Sequence, residues 1–295
     1  MTKSLDGKVA VLTGASRTIG KAVAVELVRL GAKVVIGDVL DAQGEETVRE
    51  LNDAAGSKVA VYLHVDVTKY DANIALFRLA EKEFGGVDIA FLNAGIGSNA
   101  NAMFLPLDDE TDDRMLNVNT MGVIKGTKVA MLHMAKRGGG VIINTASMAG
   151  MVCLPSMSIY NASKHGVVGW TRSCGIYKDV CNVRVNAICP TWIQTELAED
   201  LANKKNNDPC QIINESSPFA TKEDVVKAFM TLVEDEERTG QTLMVLSNHV
   251  IEPAEPPTFG ALKKNASQEV RQQYLQEAIV SYKKQLAEAR ERYGI

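Results

Sequence analysis

The sequence predicts a doubly wound α/β fold: one parallel sheet of seven strands flanked by helices, with a helical extension at the C-terminus. Three observations predict it. From Lys8 onward short β-branched runs bounded by turn residues recur, helical patterns separate them, and both signals continue almost to the end of a 295-residue chain. That alternation is the order expected of repeated βαβ units. Composition agrees, with 46% hydrophobic and 23% charged residues, which excludes disordered, collagenous and coiled-coil chains.

The first strand, Val9 to Gly14, feeds a turn, ASRTIG, and then a helix over Lys21 to Arg29 with an apolar face. A tight turn into a helix N-terminus presents unpaired N–H groups and a positive dipole end, which suits a pyrophosphate. Gly14, Arg17, Thr18, Ile19 and Gly20 are the candidate contacts there, although Thr18 occupies a position where glycine would allow closer backbone approach. The second strand, Lys33 to Asp38, ends eighteen residues after Gly20. A carboxylate at about that spacing accepts hydrogen bonds from adenosine ribose hydroxyls and repels a 2′-phosphate. Asp38 therefore argues for NAD, and Arg17 pulls towards NADP.

The third strand, Val59 to Asp66, closes with Asp66 and Val67 beside the expected adenine site. The fourth, Val87 to Gly95, ends in Asn93, Ala94 and Gly95, small enough to leave room for a nucleotide. After the fifth, Gly140 to Ser147, thirteen residues lead to Tyr160 in YNASK, which sets Tyr160 and Lys164 four apart on one helical face. An ammonium beside a phenol favours its ionisation, so Tyr160 is a candidate general acid/base. Ser147, at a strand end, is placed to hold the substrate oxygen.

The sixth strand, Val183 to Pro190, is followed by TWIQT. The segment Thr195 to Pro218 reads as a mobile lid. Met148, Met151, Val152, Cys153, Leu154, Met157 and Trp192 suggest an apolar substrate pocket, in which Cys153 and Trp192 are the candidate contacts. The seventh strand, Gln241 to Ser247, completes a catalytic unit over residues 1–251. Residues 252–295 then hold a proline-rich hinge and an amphipathic helix with Val270, Tyr274, Ala278, Tyr282, Leu286 and Tyr293 on one stripe. That helix is expected to dock on its own or a neighbouring subunit; a partly disordered tail and a cap over the site are the alternatives.

With 32 basic and 36 acidic residues the net charge is −4, so there is no basic field for nucleic acid or an anionic membrane. No stretch approaches the ~18 uninterrupted apolar residues of a membrane span, and no secretion signal opens the chain. The five cysteines show no CxxC pair, and the four histidines lack metal spacing. No metal is expected, and a reducing cytoplasm is.

Taken jointly, the glycine turn, NAG, Ser147 and the Tyr160–Lys164 pair resemble the short-chain dehydrogenase/reductase family, the type marked by TGxxxGxG, NAG and YxxxK. The resemblance spans about residues 5 to 250. It implies a Rossmann-type sheet, catalytic Ser147, Tyr160 and Lys164, a role for Lys164 on the nicotinamide ribose, and an Asn119 that holds a water and extends the proton relay. It also implies that Pro190, Ile193 and Thr195 contact the nicotinamide end, and the departures from its pattern are Thr18 and Thr191. Within the family, SKHGVVGWTRS, NAICPTWIQT and GQTLMVLSN are similar to the NAD-dependent 15-hydroxyprostaglandin dehydrogenase and insect-type alcohol dehydrogenase groups. The function this implies is NAD-dependent oxidation of a secondary alcohol to a ketone on a fairly apolar small molecule, by a homodimer or homotetramer. An NADP(H)-dependent carbonyl reductase in a biosynthetic pathway and a non-catalytic nucleotide-binding scaffold are the alternatives.

Overall fold

The computed structural model describes residues 4–97, 108–198, 212, 215–255 and 268–295. Strand β1 (Val9–Thr13) leads through α1 (Thr18–Arg29), β2 (Lys33–Asp38), α2 (Asp41–Ala55), β3 (Ala60–His64) and α3 (Tyr70–Phe84) to β4 (Ile89–Leu92). Next come α4 (Asp109–Leu116), α5 (Gly122–Arg137), β5 (Gly140–Thr145), α6 (Ser158–Ser173), α7 (Tyr177–Cys181) and β6 (Val183–Pro190). The chain closes with α8 (Lys222–Glu234), β7 (Thr242–Val245), β8 (Ile251–Pro253) and α9 (Gln268–Tyr293).

The strands form one sheet in the order β3-β2-β1-β4-β5-β6-β7-β8. Period-two alternation divides its side chains between two cores. Ala10, Leu12, Val34, Ile36 and Phe91 pack against Val23 and Leu27 of α1 and Val225 and Phe229 of α8, where Phe91 meets Phe229 edge-on at 4.9 Å. Val9, Val11, Val35, Ala90 and Ile142 face Leu76 and Phe77 of α3, Val129 and Met134 of α5 and Val167 of α6. Each face is thus sealed by helices, which is why every central strand reads as apolar. The order reverses between β1 and β4, so the crevice for a ligand opens above the carboxyl ends of those two strands.

The sheet has eight strands where the sequence suggested seven. Ile251–Pro253 turns back antiparallel on β7. The turn is built by Asn248 and His249, whose φ values of 60° and 62° are both left-handed, the geometry of a tight hairpin. Three residues ending in proline carry almost no strand pattern, and proline is tolerated there because β8 lies at the sheet edge.

Helix α9 contacts α7 and α5. Tyr282 packs on Tyr177 with ring centroids 5.4 Å apart, and Arg78 of α3 donates to the Tyr293 carbonyl at 3.1 Å. Ala278, Ile279, Tyr282, Leu286 and Ala289 are half-buried, whereas Val270, Tyr274 and Leu275 at its start are exposed. No described residue of α9 lines the main cleft. Most of the suggested lid, Cys210 and the end of the proline-rich stretch lie outside the described residues. No helix of the described residues is long and apolar enough to cross a membrane.

Candidate active site

A cleft of about 1190 Å³ opens at the switch point between β1 and β4, above the ~300–1,000 Å³ usual for one small ligand. Gly14, Arg17, Thr18, Ile19, Asp38, Asp66, Val67, Asn93, Ala94 and Gly95 line one part, and Ser147, Tyr160, Lys164, Pro190, Trp192, Ile193 and Thr195 the other. Sequence positions far apart therefore converge as the motifs implied. Gly20 acts from beneath: a Cβ there would come within 2.4 Å of the Gly14 carbonyl oxygen. Gly14 itself has φ +64°, and a Cβ on it would strike the Ala94 backbone.

Side chains brace the part of the cleft around Asp38 and Asn93. Asp38 accepts from Ser16 N–H at 3.0 Å, Val39 N–H at 2.8 Å and Leu40 N–H at 3.3 Å, so its carboxylate is fixed at the end of β2. The Tyr62 hydroxyl lies 2.7 Å from both the Asp38 carbonyl and Asp41 Oδ1, pinning the same turn. Asn93 donates to the Gly14 carbonyl at 2.8 Å and accepts from Thr145 Oγ1 at 3.2 Å, so it ties β1, β4 and β5 together at the cleft floor. Thr13 Oγ1 accepts from the N–H groups of Asn93 and Ala94 at 3.1 and 3.3 Å. At Asp66, burial works to raise the carboxyl pKa, but hydrogen bonds from Thr68 and the charges of Lys69 and Lys125 outweigh it and hold the group below the usual carboxylate range. Arg17 Nη1 lies 3.6 Å from Glu196 Oε1, and both residues line the cleft.

Whether these residues fit a dinucleotide is decided at α1. Its N-cap, Arg17, gives no side-chain cap, in contrast to α4 and α8, which Asp108 and Thr221 cap. Its leading N–H groups therefore face a glycine-floored cleft as donors for a phosphate. With the Asp38 carboxylate at the end of β2 and Asp66 and Val67 also lining the cleft, the donor set fits NAD(P). Thr18 departs from the ease of that fit, since its φ of +46° is left-handed and sterically costly for a β-branched residue.

The other part of the cleft is built on the end of β5 and the first turn of α6. Ser147 is extended (φ −170°), and its hydroxyl accepts from Ala149 N–H at 3.1 Å. Tyr160 is 4% exposed; burial pushes its phenol up to about 12, and a hydrogen bond with Ser147 pulls the other way. Lys164 is 3% exposed, and burial lowers its ammonium to about 8. Its Nζ sits 5.7 Å from the Tyr160 ring centroid and donates to the Thr145 carbonyl at 3.0 Å. The spacing of Tyr160 and Lys164 predicts an ammonium that lowers the phenol; here desolvation is the larger effect and Ser147 the relieving contact.

Asn119 lies on a π-helical turn, Asn117–Met121, between α4 and α5, and is fully buried. Such turns often mark functional positions. Its Oδ1 accepts from Ile96 N–H at 2.8 Å, while Nδ2 donates to the Ile96 carbonyl at 2.9 Å and to Ser163 Oγ at 3.1 Å. Lys164 Nζ and Asn119 Oδ1 both flank Gly95, where an added Cβ would lie 3.5 and 3.2 Å from them.

Met148, Val152, Leu154, Met157, Trp192 and Leu197 give the cleft an apolar wall. Two expected members are absent. Cys153 is exposed and faces a separate hollow with Pro155, Ser158 and His165, which Leu154 also borders. Met151 packs instead on the core beneath α6. Among the described residues no cluster of three or more His, Cys, Asp or Glu side chains has metal-binding geometry.

Comparison with known proteins agrees with the geometry. Residues 8–206 match the short chain dehydrogenase family. Human 15-hydroxyprostaglandin dehydrogenase (NAD(+)) is 33% identical over 207 residues, covering 68% of this chain and 74% of the relative. A 3-oxoacyl-acyl-carrier-protein reductase of Thermotoga maritima is 32% identical over 249 residues, covering 84% and 99%. The crystal structure of a short-chain type dehydrogenase/reductase from Mycobacterium marinum superposes with a TM-score of 0.74 at 30% identity, covering 83% of this chain and 96% of that one. An oxidising and a reducing relative thus resemble the chain about equally, and no hydroxyprostaglandin-type subgroup is singled out.

Proposed function

The chain belongs to the short chain dehydrogenase family, and from that premise we propose that it is an NAD-dependent dehydrogenase oxidising a secondary alcohol on a fairly apolar small molecule. The family assignment makes it an NAD(P)-dependent oxidoreductase acting on CH–OH groups. The observation that carries the finer reading is the buried Tyr160 phenol on the floor of an apolar cleft, hydrogen-bonded to Ser147 and flanked by Lys164.

A bound nicotinamide nucleotide supplies the acceptor for the hydride of the carbinol carbon. Gly14 and the α1 N-terminus hold its phosphates, and Asp38 accepts from the ribose hydroxyls near the adenine. Ser147 Oγ holds the substrate oxygen against Tyr160 Oη, which takes the hydroxyl proton as phenolate; preorganised donors of this kind act strongly where water is excluded. Burial makes that phenolate hard to form, so the proton leaves while Ser147 and the Lys164 ammonium are both engaged. Lys164 also grips the nicotinamide ribose. Asn119, locked to Ile96 and Ser163, keeps the route from Lys164 to bulk water in place. The apolar wall selects the substrate body.

Assembly into a homodimer or homotetramer through α5 and α6 belongs to the same proposal, supported by exposed Leu116 and Met121 beside those helices. So does a cytoplasmic setting, in keeping with four described cysteines that are all free thiols. The testing experiment titrates the protein with NADH and NADPH by nicotinamide fluorescence and then assays a panel of secondary alcohols with NAD. Tighter NADH by about tenfold, or 1.4 kcal/mol, with turnover of apolar secondary alcohols is expected. Tighter NADPH, with turnover only of ketones, overturns this reading in favour of a reductase.

A further inference from the structure

We propose that Glu196 sets nucleotide selectivity by withholding Arg17 from the 2′-position of the adenosine ribose, an inference that rests on the NAD reading above. Ser16 N–H donates to Asp38 Oδ2 at 3.0 Å, so Arg17, the next residue, stands at the ribose end of the cleft. Thr47 Oγ1 donates to the Ser16 carbonyl at 2.8 Å and fixes that segment of the turn. Across the mouth, Glu196 Oε1 lies 3.6 Å from Arg17 Nη1. The Arg17 guanidinium is therefore matched by a carboxylate, and the Asp38 carboxylate lining the same cleft adds a negative charge.

A planar guanidinium is the side chain best suited to bind a phosphate through two parallel hydrogen bonds. Glu196 competes for that guanidinium, and its own charge opposes a dianion arriving beside it. NADH carries no 2′-phosphate and is indifferent to the contest. Glu196 is accordingly a positioning residue that acts through Arg17. Because the pair is exposed, the effect is modest; an exposed ion pair corresponds to a change of about fivefold.

The test measures NADH and NADPH dissociation constants by nicotinamide fluorescence for the full chain and for Glu196→Gln, Glu196→Ala, Arg17→Ala and the Arg17→Ala/Glu196→Gln double variant. Expected is about fivefold tighter NADPH in both Glu196 variants, with NADH changed less than about twofold, and no gain where Arg17 is absent. An unchanged NADPH:NADH ratio, equal tightening of both nucleotides, or a gain that persists without Arg17 overturns the inference. A structural role for Glu196 would move both nucleotides alike. The unsubstituted chain reports separately on the NAD reading, since its own ratio decides that reading whatever Glu196 does.

Discussion

Replacing Thr18 with glycine is expected to stabilise the protein by about 1 kcal/mol. Thr18 opens α1 with φ +46°. A left-handed conformation costs an L-residue roughly 1–2 kcal/mol, and β-branching places threonine near about 2. Glycine removes that strain but loses roughly 0.5–1 kcal/mol more backbone entropy on folding, which leaves a net gain of about 1. Thr18 makes no side-chain hydrogen bond among the described residues, so no protein contact is forfeited. For a chain of this size 1 kcal/mol corresponds to about 2 °C in melting midpoint. The assay is urea and thermal unfolding without nucleotide at one protein concentration, with Thr18→Ala as the control that keeps a Cβ and therefore most of the strain. A Thr18→Gly midpoint at or below that of the unsubstituted chain, with the urea slope unchanged, refutes the strain argument; so does an equal gain in Thr18→Ala.

Three further outcomes follow from the site. Burial lowers Lys164 from 10.5 to about 8; between these values the folded chain has shed a proton the unfolded chain keeps, so stability from this group rises with pH there. Urea midpoints at about pH 7.5 and about 9.5 should show the unsubstituted chain gaining on Lys164→Met, and a constant difference contradicts this. Asn119→Ala leaves the Ile96 N–H, now bonded at 2.8 Å, without its acceptor; a loss of about 1–3 kcal/mol with slowed turnover is expected, and unchanged unfolding refutes it. Asp38→Asn should weaken NADH about tenfold, the scale of a charge-assisted hydrogen bond, and narrow the gap to NADPH, as paired fluorescence titrations would show; unaltered NADH binding removes Asp38 from the ribose site.

The strands were legible because each is long enough to show its apolar run, and β2 and β6 match their expected limits, Lys33–Asp38 and Val183–Pro190. The cleft was legible at Gly14, Asp38, Tyr160 and Lys164, whose spacing alone puts them at strand ends or on one helical face. β8 was not, since three residues ending in Pro253 carry no period. Cys153 was misplaced because a loop has no periodicity to orient it between Val152 and Leu154. Glu196, Tyr62, Thr13 and Thr145 were missed because each acts on a residue far away in the chain; a threonine closing an aliphatic strand, as at Thr13 and Thr145, is the signal that could have found two of them. Burial depth is likewise a tertiary property, which is why the high phenol pKa of Tyr160 emerged only from the packed site.

The most direct test of the central claim compares NAD-linked oxidation of secondary alcohols by the unsubstituted protein and by Tyr160→Phe, with NADH dissociation constants measured on the same samples. The account predicts loss of turnover by about a thousandfold or more, while the NADH constant stays within about twofold because the phenol is not what holds the nucleotide. Substantial turnover retained by Tyr160→Phe would contradict the assignment of proton transfer to this residue.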